Sequence, residues 1–316
     1  MDNLRGSLLM IAAMVGFALE DVLIKQTASA LPMGQVLALI GCGGTVIFST
    51  LALANGKRIV SREVLSRPVV LRNLGEMAGS ITFVAALVLT TLSSASAILQ
   101  AAPLAVTLGA ALFLGETVGW RRWTAIVIGF VGVLLVIQPG LAGFTPASLL
   151  AVVAVAALAL RDLSSRAVPA NVTSLQLAAW AFMSNIPAGV AMMLAMGTPP
   201  VGLAVPDVAR FGAMFVVGGF AYYALIGATR TGEVSVVVPF RYTRLVFAMV
   251  LGNLVFGERP DFLMLTGAAL IVGTGLYTIW RGAARRVPAH EYPSDLSDFR
   301  GSSRVEASDG RAQLVE

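Results

Sequence analysis

The chain of 316 residues repeats itself. Residues 109–137 (GAALFLGETVGWRRWTAIVIGFVGVLLVI) recur 142 positions later (251 − 109) as residues 251–279 (LGNLVFGERPDFLMLTGAALIVGTGLYTI). Each copy sets a Gly-Glu pair, Gly115-Glu116 and Gly257-Glu258, between two long apolar runs, and each closes on an apolar segment with spaced glycines. Such a chain must fold as two related halves. With 57% hydrophobic and only 12% charged residues, against about 25% charged in an ordinary soluble domain, those halves belong in a bilayer.

A helix that crosses the hydrocarbon core needs about 20 mostly apolar residues. Ten segments meet or approach that length: 6–27, 33–54, 69–91, 93–114, 121–138, 146–163, 174–196, 207–229, 234–256 and 262–280. Pro32, Pro68, Pro146 and Pro206 stand at or just before helix starts, where a missing N–H costs little. The loops leave no room for a soluble domain. Arg5 precedes an apolar stretch, but Glu20, Asp21 and Lys25 interrupt it and no small-residue cleavage site follows, so the segment reads as a retained first helix. The expected fold is therefore an all-α polytopic membrane protein of ten transmembrane helices.

Basic residues set the orientation. With the N-terminus in the cytoplasm, the inner loops and flanks hold most of the Lys and Arg, including Lys57, Arg58, Arg121, Arg122, Arg166 and Arg281, while the outer flanks hold only Arg210 and Arg259. Both termini are thus expected to be cytoplasmic, in a bacterial inner membrane. Five segments per half is an odd number, so the second half enters from the opposite face and the repeats are inverted. The domains read as 1–140 for the first repeat, 141–284 for the second, and 285–316 as a polar, disordered cytoplasmic tail. His290, the one histidine, lies in that tail.

Several motifs match a known pattern. SASAILQAAP (94–103), LGE (114–116), PFRYTRL (239–245), FGE (256–258) and GAALIVGTGLY (267–277) resemble the EamA-type drug/metabolite transporter superfamily, over residues 5–282. RDLSSR (161–166) and PFRYTRL are similar, more narrowly, to the branch that includes riboflavin and S-adenosylmethionine carriers. The resemblance implies inverted repeats, alternating access, and a central cavity lined by the third, fourth, eighth and ninth segments with help from the first and sixth. It also implies that the Gly-Glu loops are structural. It names no substrate.

Ionisable groups at membrane depth are costly and usually face a cavity or a partner. Here they are Glu20, Asp21, Lys25, Arg72, Glu76, Arg241 and Arg244. Glu76 lies seven residues into the third segment, about 10 Å at 1.5 Å per residue, and Arg241 reaches much the same depth. Tyr222 and Tyr223 stand at that level on the eighth. In one reading Arg241, with Arg244 and beside Tyr242, grips an anionic group, because guanidinium forks match carboxylates and phosphates, and Glu76 holds a cation or a coupling proton. In the other, Glu76 and Arg241 form a structural ion pair. Arg72 reads as a snorkelling anchor. Asp21 and Lys25, four apart, can pair, which leaves Glu20 as the acid without a local partner. Gln100 before Pro103 and Asn185 before Pro187 stand where a Pro frees the carbonyl four residues earlier; Gln100 is expected at the site because the resemblance implies that its segment lines the cavity, whereas Asn185 and Trp180 read as packing residues. Arg161-Asp162 reads equally as half of a gate or as a boundary pair.

The substrate-binding expectation is thus Glu20, Glu76, Gln100, Tyr222, Tyr223, Arg241, Tyr242 and Arg244. No metal cluster, cofactor motif, Walker loop or nucleophile elbow stands in the sequence, so an enzyme is not expected. Near balance of embedded charge points to a secondary transporter of a small polar metabolite, zwitterionic or with separated charges. The alternatives are a proton-coupled exporter of amphipathic or cationic compounds with Glu20 titrating, and, from another class, a non-transporting sensor or assembly partner. Expected partners are the metabolite, the lipid bilayer and a coupling proton, with no nucleic acid; Gly129, Gly132, Gly267, Gly273 and Gly275 offer close helix packing and a homodimer contact.

Overall fold

A computed structural model of the chain describes residues 2–284 except Val60, Thr117, Ala142, Ala170 and Gly232. The tail 285–316, read above as disordered, lies outside the described residues. The architecture is helical throughout, with no strand among the described residues. The elements are α1 (Asp2–Thr27), α2 (Met33–Ala54), α3 (Arg67–Leu89), α4 (Leu92–Leu99), α5 (Ala102–Phe113), α6 (Trp120–Ile137), α7 (Ser148–Ser165), α8 (Ser174–Met196), α9 (Val205–Thr231), α10 (Val234–Val237), α11 (Thr243–Phe256) and α12 (Phe262–Ala284). A short 3₁₀ turn precedes α3, and another, Val238–Tyr242, joins α10 to α11. Each of the ten expected segments coincides with one of these helices or with a broken pair.

Eight spans are long and apolar enough to cross a membrane, counting α4 and α5 as one run, Leu92–Phe113. The other two segments fall short for visible reasons. Arg72, Asn73 and Glu76 make α3 more polar, and the ninth segment is broken by Pro239 into α10, the 3₁₀ turn and the 14-residue α11. The α4/α5 break has the same cause: Pro103 cannot donate to a carbonyl one turn back, and the helix is interrupted at Gln100–Ala101.

Local chemistry sets the helix ends. Thr91 caps α4 by accepting from the Ser94 amide at 3.1 Å. Thr173 and Gln176 form a reciprocal capping box on α8. The repeated Gly-Glu pair is explained in the same way: Gly115 and Gly257 follow α5 and α11 with φ of +66° and +67°, left-handed backbone that only glycine adopts without strain. The duplicated glycine is thus a helix stop, and it aims the following glutamate away from the helix axis.

The helices pack chiefly as α2 on α8, α3 on α7, α1 on α9 and α6 on α12. In the last pair Gly132 and Gly267 face each other so closely that a Cβ on either would come within 2.7 Å or 2.5 Å of the other's carbonyl oxygen. Backbone-to-backbone approach of this kind needs small residues. Two glycines expected to serve close packing therefore do so within one chain, at the junction of its halves. Around Val36, Leu37, Leu87, Leu92, Ile98 and Ile271 runs a continuous buried core.

Candidate functional site

Long α1 carries Glu20, Asp21 and Lys25 at depth, and the three have different surroundings. Asp21, 3% exposed, accepts from the Arg244 guanidinium at 2.7 and 2.8 Å through both carboxylate oxygens. Arg244 also lies over the rings of Phe17 and Phe83, with centroid distances of 5.5 and 6.0 Å. The expected Asp21–Lys25 pair is therefore not formed. One turn on, Lys25 points to the end of the bundle, donates to the carbonyls of Leu87 and Thr90, and stands 3.6 Å from Glu258. Helical spacing allowed the Asp21–Lys25 contact, but a bidentate fork from another helix satisfies both oxygens at once.

Glu258 occupies the start of α4. It accepts from the Leu92 amide at 2.6 Å and from the Ser93 amide and hydroxyl at 2.9 and 2.7 Å. A carboxylate there meets the unsatisfied N–H groups and the positive end of the helix. Its counterpart Glu116, at the other end of the Leu92–Phe113 run, pairs instead with Arg166 at 2.6 Å, both half exposed. Near Glu258, α4 packs along α11, whereas α5 and α10 scarcely touch.

A second polar cluster joins α3, α7 and the 3₁₀ turn. Arg161 bridges Glu76 at 3.3 Å and Asp162 at 2.8 Å. The structural Glu76–Arg241 pair, one of the two readings of these residues, is not formed, because α3 packs on α7 along its length and presents Glu76 to Arg161. Arg72 is not a snorkelling anchor: it donates to the Leu177 carbonyl of α8 at 3.2 Å and is half-buried. Arg241 is exposed on the 3₁₀ turn, with Asp162, Arg161 and Arg244 as its charged neighbours and no ion pair among the described residues. Gln100, at the α4/α5 break, donates to the Arg241 carbonyl at 3.3 Å, so the two helix breaks meet.

Glu20 points about 100° around α1 from Asp21. It borders a cavity of about 80 Å³ whose walls include Phe17, Phe48, Phe182, Phe215 and Tyr222. Phe48 stacks on Phe182 at 5.2 Å and meets Tyr222 edge-on at 4.9 Å. Glu20 accepts no hydrogen bond from any described residue.

Other expected site residues lie elsewhere. Tyr223 is 77% exposed, on the outside of α9, since adjacent helical positions point about 100° apart. Tyr242 is buried with its hydroxyl against Gly275 and faces α12 rather than a cavity. Arg244 is occupied by Asp21. Trp180 is buried and donates to the Ile59 carbonyl at 2.8 Å, which ties a loop to α8, and Asn185 is buried within α8. The residues that sequence reasoning missed are the phenylalanines: Phe17, Phe48, Phe182 and Phe215 are indistinguishable from lipid-facing residues until their helices are assembled. Among the described residues no group of three His, Cys, Asp or Glu could hold a metal ion.

The sequence profile of the EamA-like transporter family matches twice, at residues 4–138 and 145–280. The chain is 23% identical to the S-adenosylmethionine uptake transporter of Rickettsia prowazekii, over 91% of this chain and 97% of that protein. It is 30% identical to the riboflavin transporter of Rhizobium johnstonii, over 89% of this chain and 92% of that one. A solved crystal structure at 20% identity superposes with a TM-score of 0.57, covering 90% of this chain and 99% of the other, and shares the fold. On two matches that together span nearly all of residues 4–280, the chain belongs to the EamA-like transporter family.

Proposed function

We propose that the protein is a secondary transporter that moves a small, polar, zwitterionic or charge-separated organic metabolite across a bacterial inner membrane by alternating access. One observation carries this reading. Of the seven ionisable groups named above at membrane depth, Glu20 and Arg241 are the two with no side-chain partner among the described residues, whereas Asp21–Arg244, Lys25–Glu258 and Glu76–Arg161 are paired and Arg72 donates to Asn73 and to the Leu177 carbonyl. An unpaired charge at membrane depth is expensive unless a ligand or water meets it. One of each sign suits a substrate that carries both. Relatives named for S-adenosylmethionine and riboflavin support an organic metabolite as cargo.

In this reading the ten segments form two inverted five-helix repeats, residues 1–140 and 141–284, with both termini in the cytoplasm. Glu258 closes the Lys25 end, while Glu116, half exposed beside Arg166, waits at the other. Exchange of which glutamate caps its helix would switch the open side.

The test is uptake into liposomes that hold purified protein, under an imposed pH gradient, with labelled amino acids, betaines, nucleoside derivatives and flavins. Accumulation of one compound, lost in Glu20→Gln and in Arg241→Ala while thermal stability is kept, is the expected result. Uptake unchanged in both variants would remove these residues from the site.

A further inference from the structure

Three helix starts meet around one polar cavity at the Glu258 end of the bundle. The cavity, of about 200 Å³, is bordered by Thr91 and Ser94 at the start of α4, by Thr145 and Ser148 at the start of α7, and by Arg259 and Asp261 ahead of α12. A helix start is the positive end of its dipole and favours negative charge. Two of the three already have it: Glu258 accepts from the first amides of α4, and Asp261 accepts from the Met264 amide of α12. The start of α7 has none. Its cap position is Ala147, its first turn carries no acid, and its leading amides turn back to the carbonyls of Thr145, Pro146 and Ala147.

The cavity also holds donors that the protein does not use. Ser148 and Ser94 are 4% and 8% exposed, yet neither hydroxyl makes a hydrogen bond with a described residue, and a buried hydroxyl left unpaired is penalised. The Thr145 hydroxyl donates to no described residue either, and Thr91 accepts from the Ser94 amide while its own O–H stays unspent. Arg259 forms no ion pair among the described residues. Asp261, the one carboxylate on these walls, is engaged: both its oxygens accept from Gln138 Nε2 and one also from Met264. Four hydroxyls and a guanidinium, from three stretches of chain, thus surround a space whose acid is already taken. A planar carboxylate presents two oxygens on one side. A phosphate presents oxygens in several directions, which suits donors that converge from three helix starts, and guanidinium forks match it.

We infer that this cavity binds a phosphate group, held by Arg259, by the Ser94 and Ser148 hydroxyls and by the positive end of α7. The inference stands apart from the transport reading and from the Glu20 cavity. Because the site lies where the spans end, at the level of lipid headgroups, the group has two sources: free phosphate in solution, or the headgroup of a phospholipid.

The experiment is calorimetric titration of the full chain in dodecyl maltoside, a detergent without phosphate, at constant ionic strength. The probes are inorganic phosphate, dihexanoyl phosphatidylglycerol below its micellar concentration, and acetate. At least one of the two phosphate compounds is expected to bind, about tenfold or more tighter than acetate, a gap of roughly 1.4 kcal/mol. Binding of inorganic phosphate assigns the free ion, and binding of the lipid alone assigns the headgroup. Arg259→Ala and Ser148→Ala, both checked for an unchanged melting temperature, should each weaken that binding by about tenfold or more, while Asp261→Asn and Arg122→Ala, the latter at the far end of α6, should keep it. Failure of both phosphate compounds, acetate binding as tightly, or binding that survives Arg259→Ala and Ser148→Ala would overturn the inference. Loss of binding in Asp261→Asn with the fold intact would overturn it too, since that result marks a cation site.

Discussion

Glu258 holds Ser93 twice, through its amide and through its hydroxyl, across 165 residues of chain. The contact joins the two halves of the chain: the glutamate that follows the Gly257 stop caps the helix that opens the fourth segment. With Leu92 and Lys25 it forms a polar closure at that end of the bundle.

Removing that cap should cost stability. Glu258→Ala deletes three hydrogen bonds to a helix start and leaves Lys25 without its carboxylate. A loss of about 2 kcal/mol, at the upper end for a helix cap, should appear as a lower melting temperature in detergent. Glu116→Ala should change it by less than about 1 kcal/mol, because its pair with Arg166 is half exposed. Equal effects would deny that the two glutamates differ.

Asp21 and Arg244 form a buried pair, so their single and double variants should be strongly non-additive. Asp21→Leu or Arg244→Met alone should destabilise by about 3–5 kcal/mol, since each leaves an uncompensated charge. Asp21→Leu combined with Arg244→Met should recover most of that loss. Thermal unfolding of the four proteins closes the cycle; additive losses would mean that the pair is not a unit.

Asp261 lies outside the spans and caps α12. It accepts from Gln138 Nε2 at 2.6 and 2.8 Å and from the Met264 amide at 2.7 Å. The Gln138 hydrogen bonds first, and the backbone amide next, hold its carboxyl below the usual carboxylate range. A depressed folded pKa stabilises the fold above the unfolded value, about 3.9, and that contribution is lost as pH falls through the lower folded value. The melting temperature should therefore drop below about pH 4, and the part due to this residue should vanish in Asp261→Asn. An acid limb identical in the variant would refute the assignment.

Gly132→Leu should separate α6 from α12. Its Cβ alone would stand 2.7 Å from the Gly267 carbonyl, and backbone cannot yield as a side chain does. Loss of monodisperse folded protein is expected on size-exclusion chromatography, whereas Gly273→Ala, which meets nothing within 4 Å, should behave as the parent.

The bilayer habitat, the segment positions and the helix break at Pro103 were legible in the chain itself, because they depend on hydropathy and a missing N–H group, both local; the break at Pro239, inside the segment read as 234–256, and the glycine stops at Gly115 and Gly257 came only with the structure. Which charges pair was not legible. Asp21 has Lys25 one turn away yet binds Arg244, 223 residues distant, and Glu76 takes Arg161 rather than Arg241. Partner choice depends on which helix faces present themselves, and hydropathy says little about rotation around an axis when nearly every side chain is apolar. The same holds for the aromatic walls around Glu20. Sequence singled out the unpartnered acid; only the packing of α1, α2, α8 and α9 placed rings on its sides, because those rings come from four helices and no local rule links them.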